Sequence, residues 1–140
     1  MNFVLDSSLT MAFVLQDEAN VETDKILDSL GQGGKAFTPA LWRWEVGNVL
    51  LVAERRKRIS QAEGHRHVTL LQALPIEVDD GALREAWNAA ILLARKHQLT
   101  LYDAAYLELA IRLGLPLGSL DTDLRKAANS ENVKLFLGKI

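Results

Sequence analysis

The chain has 140 residues, 49% of them apolar and 24% charged, with a formal net charge of −2, which reads as one globular domain able to bury a substantial core. The absence of cysteine excludes disulfides, thiolate metal sites and a cysteine nucleophile. The N-terminus has no basic leader before an apolar core, and no run approaches the roughly 18 apolar residues of a membrane span, so a cytoplasmic protein with no membrane partner is expected.

Short β-like runs alternate with helical patterns, which predicts an α/β domain over residues 1–140 with a parallel sheet and crossover helices. Asn2 to Leu5 is the first strand. Helices are expected from about Ser8 to Gln16 and from Thr23 to Leu30. Gly31-Gln32-Gly33-Gly34 then reads as a turn, because the spacing of a phosphate loop is absent. After a strand at Ala36 to Thr38, Thr38 as N-cap and Pro39 as first helical residue are expected to open a helix. Ser60-Gln61-Ala62-Glu63 has capping-box spacing and starts the next one. Ile76 to Val78 is a third strand, and Asp79 or Asp80 caps a helix running to about His97. Thr100 caps another, ending near Leu113-Gly114. Leu117 to Leu120 and Val133 to Leu137 are the last strands, with a short helix at Leu124 to Ala128 between them.

Four acids interrupt this apolar framework. Asp6 ends Phe3-Val4-Leu5, Glu45 lies within Leu41-Trp42-Arg43-Trp44-Glu45-Val46, Asp103 follows Leu101-Tyr102, and Asp121 follows Gly118-Ser119-Leu120. An unpaired carboxylate in apolar surroundings is costly, and a bound cation offsets that cost. If the four converge, they form an oxygen-ligand site for Mg2+ or Mn2+. Asp6 and Asp121 each stand at the carboxyl end of a predicted strand, the edge where open parallel sheets bind ligands.

Each acid also has a plain structural role open to it. Asp6 and Asp121 are good N-caps, and Thr100 to Asp103 is itself a capping-box pattern. Glu45 and Asn48 project near Leu41 and Val52 on a helical wheel, with Trp44 flanking, so a buried pair with an arginine is an alternative for Glu45. Trp42, Trp44 and Trp87 read as core or interface residues. The run Arg55-Arg56-Lys57-Arg58 fits a solvated helix C-terminus or a rim of phosphate contacts. His65 and His67 fall on different helix faces, and His97 suits a helix C-terminus.

Taken together, Val4-Leu5-Asp6-Ser7-Ser8, Thr38-Pro39-Ala40-Leu41-Trp42-Arg43-Trp44-Glu45-Val46-Gly47-Asn48-Val49-Leu50, Leu99 to Ala110 around Tyr102-Asp103-Ala104, and Gly118-Ser119-Leu120-Asp121-Thr122-Asp123-Leu124 resemble PIN-domain ribonucleases. The closest likeness is to the VapC-type toxins of toxin–antitoxin pairs. Each motif is short, but four in order over essentially the whole chain are specific. The resemblance implies a single PIN domain over 1–140, a three-layer α/β/α fold with a central, mostly parallel five-stranded sheet. It implies Asp6, Glu45, Asp103 and Asp121 as the catalytic and metal-holding acids, with Asp6 and Asp103 the most direct ligands. Ser119 stands where the family usually has threonine.

The implied function is a Mg2+-dependent endoribonuclease, with Mn2+ as substitute, acting as a toxin on tRNA or rRNA. Implied partners are a VapB-type antitoxin, a second copy of the chain in a homodimer, and DNA only through the antitoxin. Arg55, Arg56, Arg95, Lys96 and Arg125 are candidates for the RNA-attracting rim. The alternatives are a PIN-domain RNase in RNA processing without a toxin role, and a catalytically silent RNA- or protein-binding module.

Overall fold

A sheet whose neighbouring strands all run parallel needs a crossover between them, and helices supply it here. The computed structural model describes residues 1–15 and 21–137. The strands are β1 (Phe3–Leu5), β2 (Ala36–Pro39), β3 (Ile76–Asp79) and β4 (Leu117–Gly118), in the order β3-β2-β1-β4 with every pairing parallel. The helices are α1 (Ser7–Val14), α2 (Val21–Gly31), α3 (Leu41–Arg55), α4 (Gln61–Ala73), α5 (Ala82–Glu85), α6 (Ile91–His97), α7 (Leu101–Leu113) and α8 (Thr122–Ser130).

Every residue of β1 is fully buried, which is why it reads as an unbroken apolar run rather than an alternating one. Helix α7 packs on β1, β2 and β4 and is buried without a break from Ala104 to Ala110. That burial includes Glu108, whose carboxylate accepts from Arg112 Nε at 2.8 Å and from Nη2 at 3.0 Å. Arg112 also donates to both oxygens of Asp79 at the end of β3. The guanidinium thus ties α7 to the far strand of the sheet. A Cβ at position 81 would lie 2.7 Å from Arg112 Nη1, so Gly81 leaves the room this tie needs.

The fold departs from the sequence reading at several points; among them, the helix expected to be capped by Asp79 or Asp80 has Gly81 as its N-cap. The fifth strand expected at Val133 to Leu137 reduces to a single parallel bridge, Leu117 to Leu135, flanked by bonds from Leu117 N to Lys134 O and from Phe136 N to Leu117 O. Its partner β4 stops at Gly118 rather than Leu120, because Ser119 and Leu120 turn away to bond Asp6 and Ser8. The helix expected up to His97 is divided by a π-helical turn at Ala86–Ala90. The expected end of α1 at Gln16 lies outside the described residues.

The last departure is at Thr38. Strand β2 pairs with β3 through Pro39, α3 begins only at Leu41, and its N-cap Ala40 brings no side-chain bond. Thr38 therefore caps nothing. It is fully buried, and its Oγ1 has no partner among the described residues. Thr38→Val keeps the shape and removes the orphan hydroxyl, so chemical denaturation should show a gain of up to about 1 kcal/mol. A clear loss would mean that the hydroxyl is satisfied after all.

Other local expectations hold. Ser60 and Glu63 form the reciprocal capping box of α4. Thr100 Oγ1 accepts from Asp103 N and starts α7, without a reciprocal bond from Asp103. His97 bonds Glu131 at 2.6 Å and Lys96 pairs with the same carboxylate, so both join α6 to the end of α8.

Candidate active site

The site grows from the ends of β1 and β4, which deliver their next residues to one edge of the sheet. Asp6 follows β1 directly and caps α1, accepting from Leu9 N at 2.9 Å. Ser8, in the first turn of that helix, donates its Oγ to Asp6 Oδ1 at 2.8 Å and approaches Oδ2 at 2.9 Å. After β4, Ser119 donates Oγ to Asp6 Oδ2 at 2.5 Å and accepts from Asp121 N at 3.0 Å. Leu120 N donates to Ser8 Oγ at 3.1 Å, which closes the circuit between the two strand ends.

Asp6 is 4% exposed, and burial pushes its carboxyl up from 3.8 to about 6. The hydroxyl and backbone donors oppose that rise, and the nearby charge of Asp103 adds to it. Asp103 is half-buried in the first turn of α7. Its carboxyl is raised by desolvation first, then by the charges of Asp121 and Glu45. Asp121 caps α8 through Leu124 N at 2.8 Å. Glu45 is half-buried on α3, and its Oε1 accepts from Tyr106 Oη at 2.5 Å. Burial and that same bond drive the Tyr106 phenol far above its ordinary range, which keeps it protonated as a donor.

The four acids singled out in the sequence therefore share one electrostatic neighbourhood, built by α1, α3, α7 and α8. Two of them also play the structural role weighed for them, Asp6 and Asp121 as helix caps, whereas Asp103 sits in the turn that Thr100 caps without completing a capping box. The two kinds of role coexist. The arginine partner considered for Glu45 is replaced by a tyrosine. Among the described residues, no three carboxylates or histidines are already disposed to enclose an ion.

In chemistry the donor set fits a hard divalent cation: it offers only carboxylate and hydroxyl oxygens, and burial, with neighbouring negative charge added, already raises two of its acids. The residues that would hold it are Asp6, Asp103, Glu45 and Asp121.

Several neighbouring residues are placed differently from the sequence reading. Asn48 is exposed rather than on the buried face of α3, which is made by Trp42, Val46, Leu50 and Ala53. Trp42 is core, donating Nε1 to Thr10 Oγ1 at 2.9 Å, whereas Trp44 and Trp87 are more than four-fifths exposed. Arg125 is drawn inward: its Nη1 donates to the carbonyl of Ser119 at 2.9 Å and supports the loop that carries Ser119 and Asp121. Arg55, Arg56 and Arg95 remain exposed. Tyr106 and Ser8 were not singled out, although Tyr106 lies three residues after Asp103 on one helix face.

The family model described as PIN domain matches residues 3–130. Ribonuclease VapC3 of Pyrobaculum aerophilum is 29% identical over 124 residues, covering 89% of this chain and 92% of that protein. The structure of VapBC2 from Rickettsia felis, bound to a DNA fragment from their promoter, aligns with a TM-score of 0.68 at 11% identity over 96% of this chain and 97% of that one. VapC20 of Mycobacterium tuberculosis, described as a Sarcin-Ricin loop cleaving toxin, aligns with a TM-score of 0.60 at 14% identity over 89% and 94%. At such identities, the structural likeness establishes the fold.

Proposed function

The chain belongs to the PIN-domain family, and from that premise we propose that it is a Mg2+-dependent endoribonuclease, the toxin of a toxin–antitoxin pair, neutralised by a VapB-type antitoxin. The observation that carries the reading is the coupling of Asp6, Asp103, Asp121 and Glu45 at the edge of the sheet where parallel folds bind ligands. The similarity to Ribonuclease VapC3 and the likeness to VapBC2 support the choice of substrate and of partner. Mn2+ is a chemically equivalent substitute for Mg2+ at oxygen donors.

An RNA phosphodiester resists hydrolysis because its own charge repels the attacking oxygen. The divalent ion, when bound, supplies charge neutralisation and acidifies water. The chain's part is to hold and orient. Ser8, Ser119 and the Leu9 N–H fix the Asp6 carboxylate, and the caps of α7 and α8 fix Asp103 and Asp121. Exposed Arg55, Arg56 and Arg95 offset the acidic site with long-range attraction for RNA, an effect that weakens with salt.

The substrate on this reading is a tRNA or rRNA, and the setting is the cytoplasm. A homodimer and an antitoxin need apolar surface, and exposed Trp44 and Leu51 on α3, with Leu83 on α5, Trp87 in the π-helical turn and Leu92 on α6, offer it. DNA enters only through the antitoxin. Induced expression in a bacterial host should arrest growth and leave discrete RNA fragments, and Asp103→Asn should do neither. Specific cleavage without growth arrest would favour an RNA-processing role; arrest without fragments would rule the nuclease out.

A further inference from the structure

Two of the four site acids are fixed by the helix they start, and a third lies in the first turn of its helix. Asp6 and Asp121 accept backbone N–H groups as N-caps, and Asp103 lies in a turn capped by Thr100. Glu45 differs. It sits inside α3, where the backbone N–H groups are committed to the helix, and its side chain has more rotatable bonds than aspartate. Something else has to hold it.

That holder is a single phenol. Tyr106 is 1% exposed, and its ring is locked in the core beneath α7. Its hydroxyl donates to Glu45 Oε1, and the Ser7 side chain lies near the same phenol. Two site helices therefore meet at one oxygen, the Glu45 helix and the helix that carries Asp103 one turn before Tyr106, with the turn after Asp6 close by. Glu45 Oε2 has no partner among the described residues and is left to the site.

We propose that Tyr106 is the positioning residue for Glu45: its buried hydroxyl holds Oε1 so that Oε2 is left free for the divalent ion. The proposal rests on the reading of the site as a metal-dependent nuclease. Tyrosine acts here through the glutamate and touches neither ion nor substrate. Partners placed behind metal-holding carboxylates characteristically change ion affinity or activity by about 10–100-fold when removed.

The test is a double-mutant cycle on Tyr106→Phe and Glu45→Ala with two readouts. One is the Mn2+ concentration that produces half of the maximal rise in melting temperature; the other is kcat and KM on a short RNA. Tyr106→Phe should raise the half-effective Mn2+ concentration about tenfold, lower kcat by a similar factor and leave KM for RNA unchanged. In the Glu45→Ala background, Tyr106→Phe should add nothing to either effect.

A Mn2+ response that depends on Glu45 but is indifferent to Tyr106→Phe overturns the proposal alone. So does a Tyr106→Phe effect of equal size with and without Glu45, since that would be general loosening. If Mn2+ shifts no melting curve and no variant cuts RNA, the nuclease reading falls and takes the proposal with it.

Discussion

At pH 7 and above, Asp6→Asn is expected to unfold at higher denaturant concentration than the wild type while losing about a hundredfold or more of its RNA cleavage. Burial raises the Asp6 carboxyl from 3.8 to about 6, so the folded state binds a proton more tightly than the unfolded chain. The protonated, neutral form is the one the fold favours. Its contribution is fully present below about pH 3.8 and is lost as pH rises through about 6. That gap corresponds to roughly 3 kcal/mol at neutral pH.

Asparagine avoids the charge and still accepts from Leu9 N, but it gives Ser8 and Ser119 one oxygen fewer. The net gain expected is therefore about 1–2 kcal/mol at pH 7–8, falling to zero at about pH 5 and changing sign toward about pH 4, where the wild-type carboxyl is protonated in the fold. Urea denaturation of both proteins across that range measures it. A difference that stays constant with pH, or a less stable variant at pH 7, would show that Asp6 is not a strained carboxylate. The site would then lack the electrostatic stress that a cation relieves.

Arg112→Ala should cost about 3–5 kcal/mol, because it leaves Glu108 buried with no compensating charge. The same side chain holds Asp79, whose carboxyl is depressed chiefly by its bonds to Arg112. A depressed carboxyl contributes stability above its unfolded value near 3.8 and loses it as pH falls through the lower folded value. The gap between wild type and Arg112→Ala should therefore narrow in acid. Adding Glu108→Gln to Arg112→Ala should recover part of the loss, since a neutral amide costs less to bury than a lone charge. If Arg112→Ala costs under about 1 kcal/mol, the network is solvent-screened and α7 is held by apolar packing alone.

The placement of the acids was legible because it depends on local patterns. An aspartate directly after a buried apolar strand has nowhere to go but the strand's carboxyl edge, and Asp6 is there. Thr100 and the Ser60–Glu63 pair announced their helices through side chains that act within three residues. What failed depended on distant neighbours. Thr38 has the chemistry of a cap, but pairing with β3 carries the strand past it. Leu120 has the look of a strand, but the bond from its N–H to Ser8 pulls it out of the ladder.

The same limit hid the second tier of the site. Tyr106 looks like a core aromatic, and its meaning comes from Glu45, 61 residues away. Arg125 looked like part of a rim for RNA until the Ser119 carbonyl claimed it. Trp44 belonged to an apolar stripe on a helical wheel, yet the packed face of α3 is centred on Trp42, Val46, Leu50 and Ala53. Periodicity locates a face, and the tertiary contacts decide which face is covered.

If the carboxylate cluster around Asp6 cuts RNA with the help of a divalent ion, cleavage must depend on both the ion and Asp6. Purified wild type and Asp6→Asn should be incubated with total RNA and a set of tRNA and ribosomal hairpins, with Mg2+, with Mn2+, and with chelator. Discrete fragments are expected from the wild type only with a divalent ion, and none from Asp6→Asn. Fragments that persist in Asp6→Asn or in chelator, or no cleavage of any RNA by the folded wild type with either ion, would contradict this expectation.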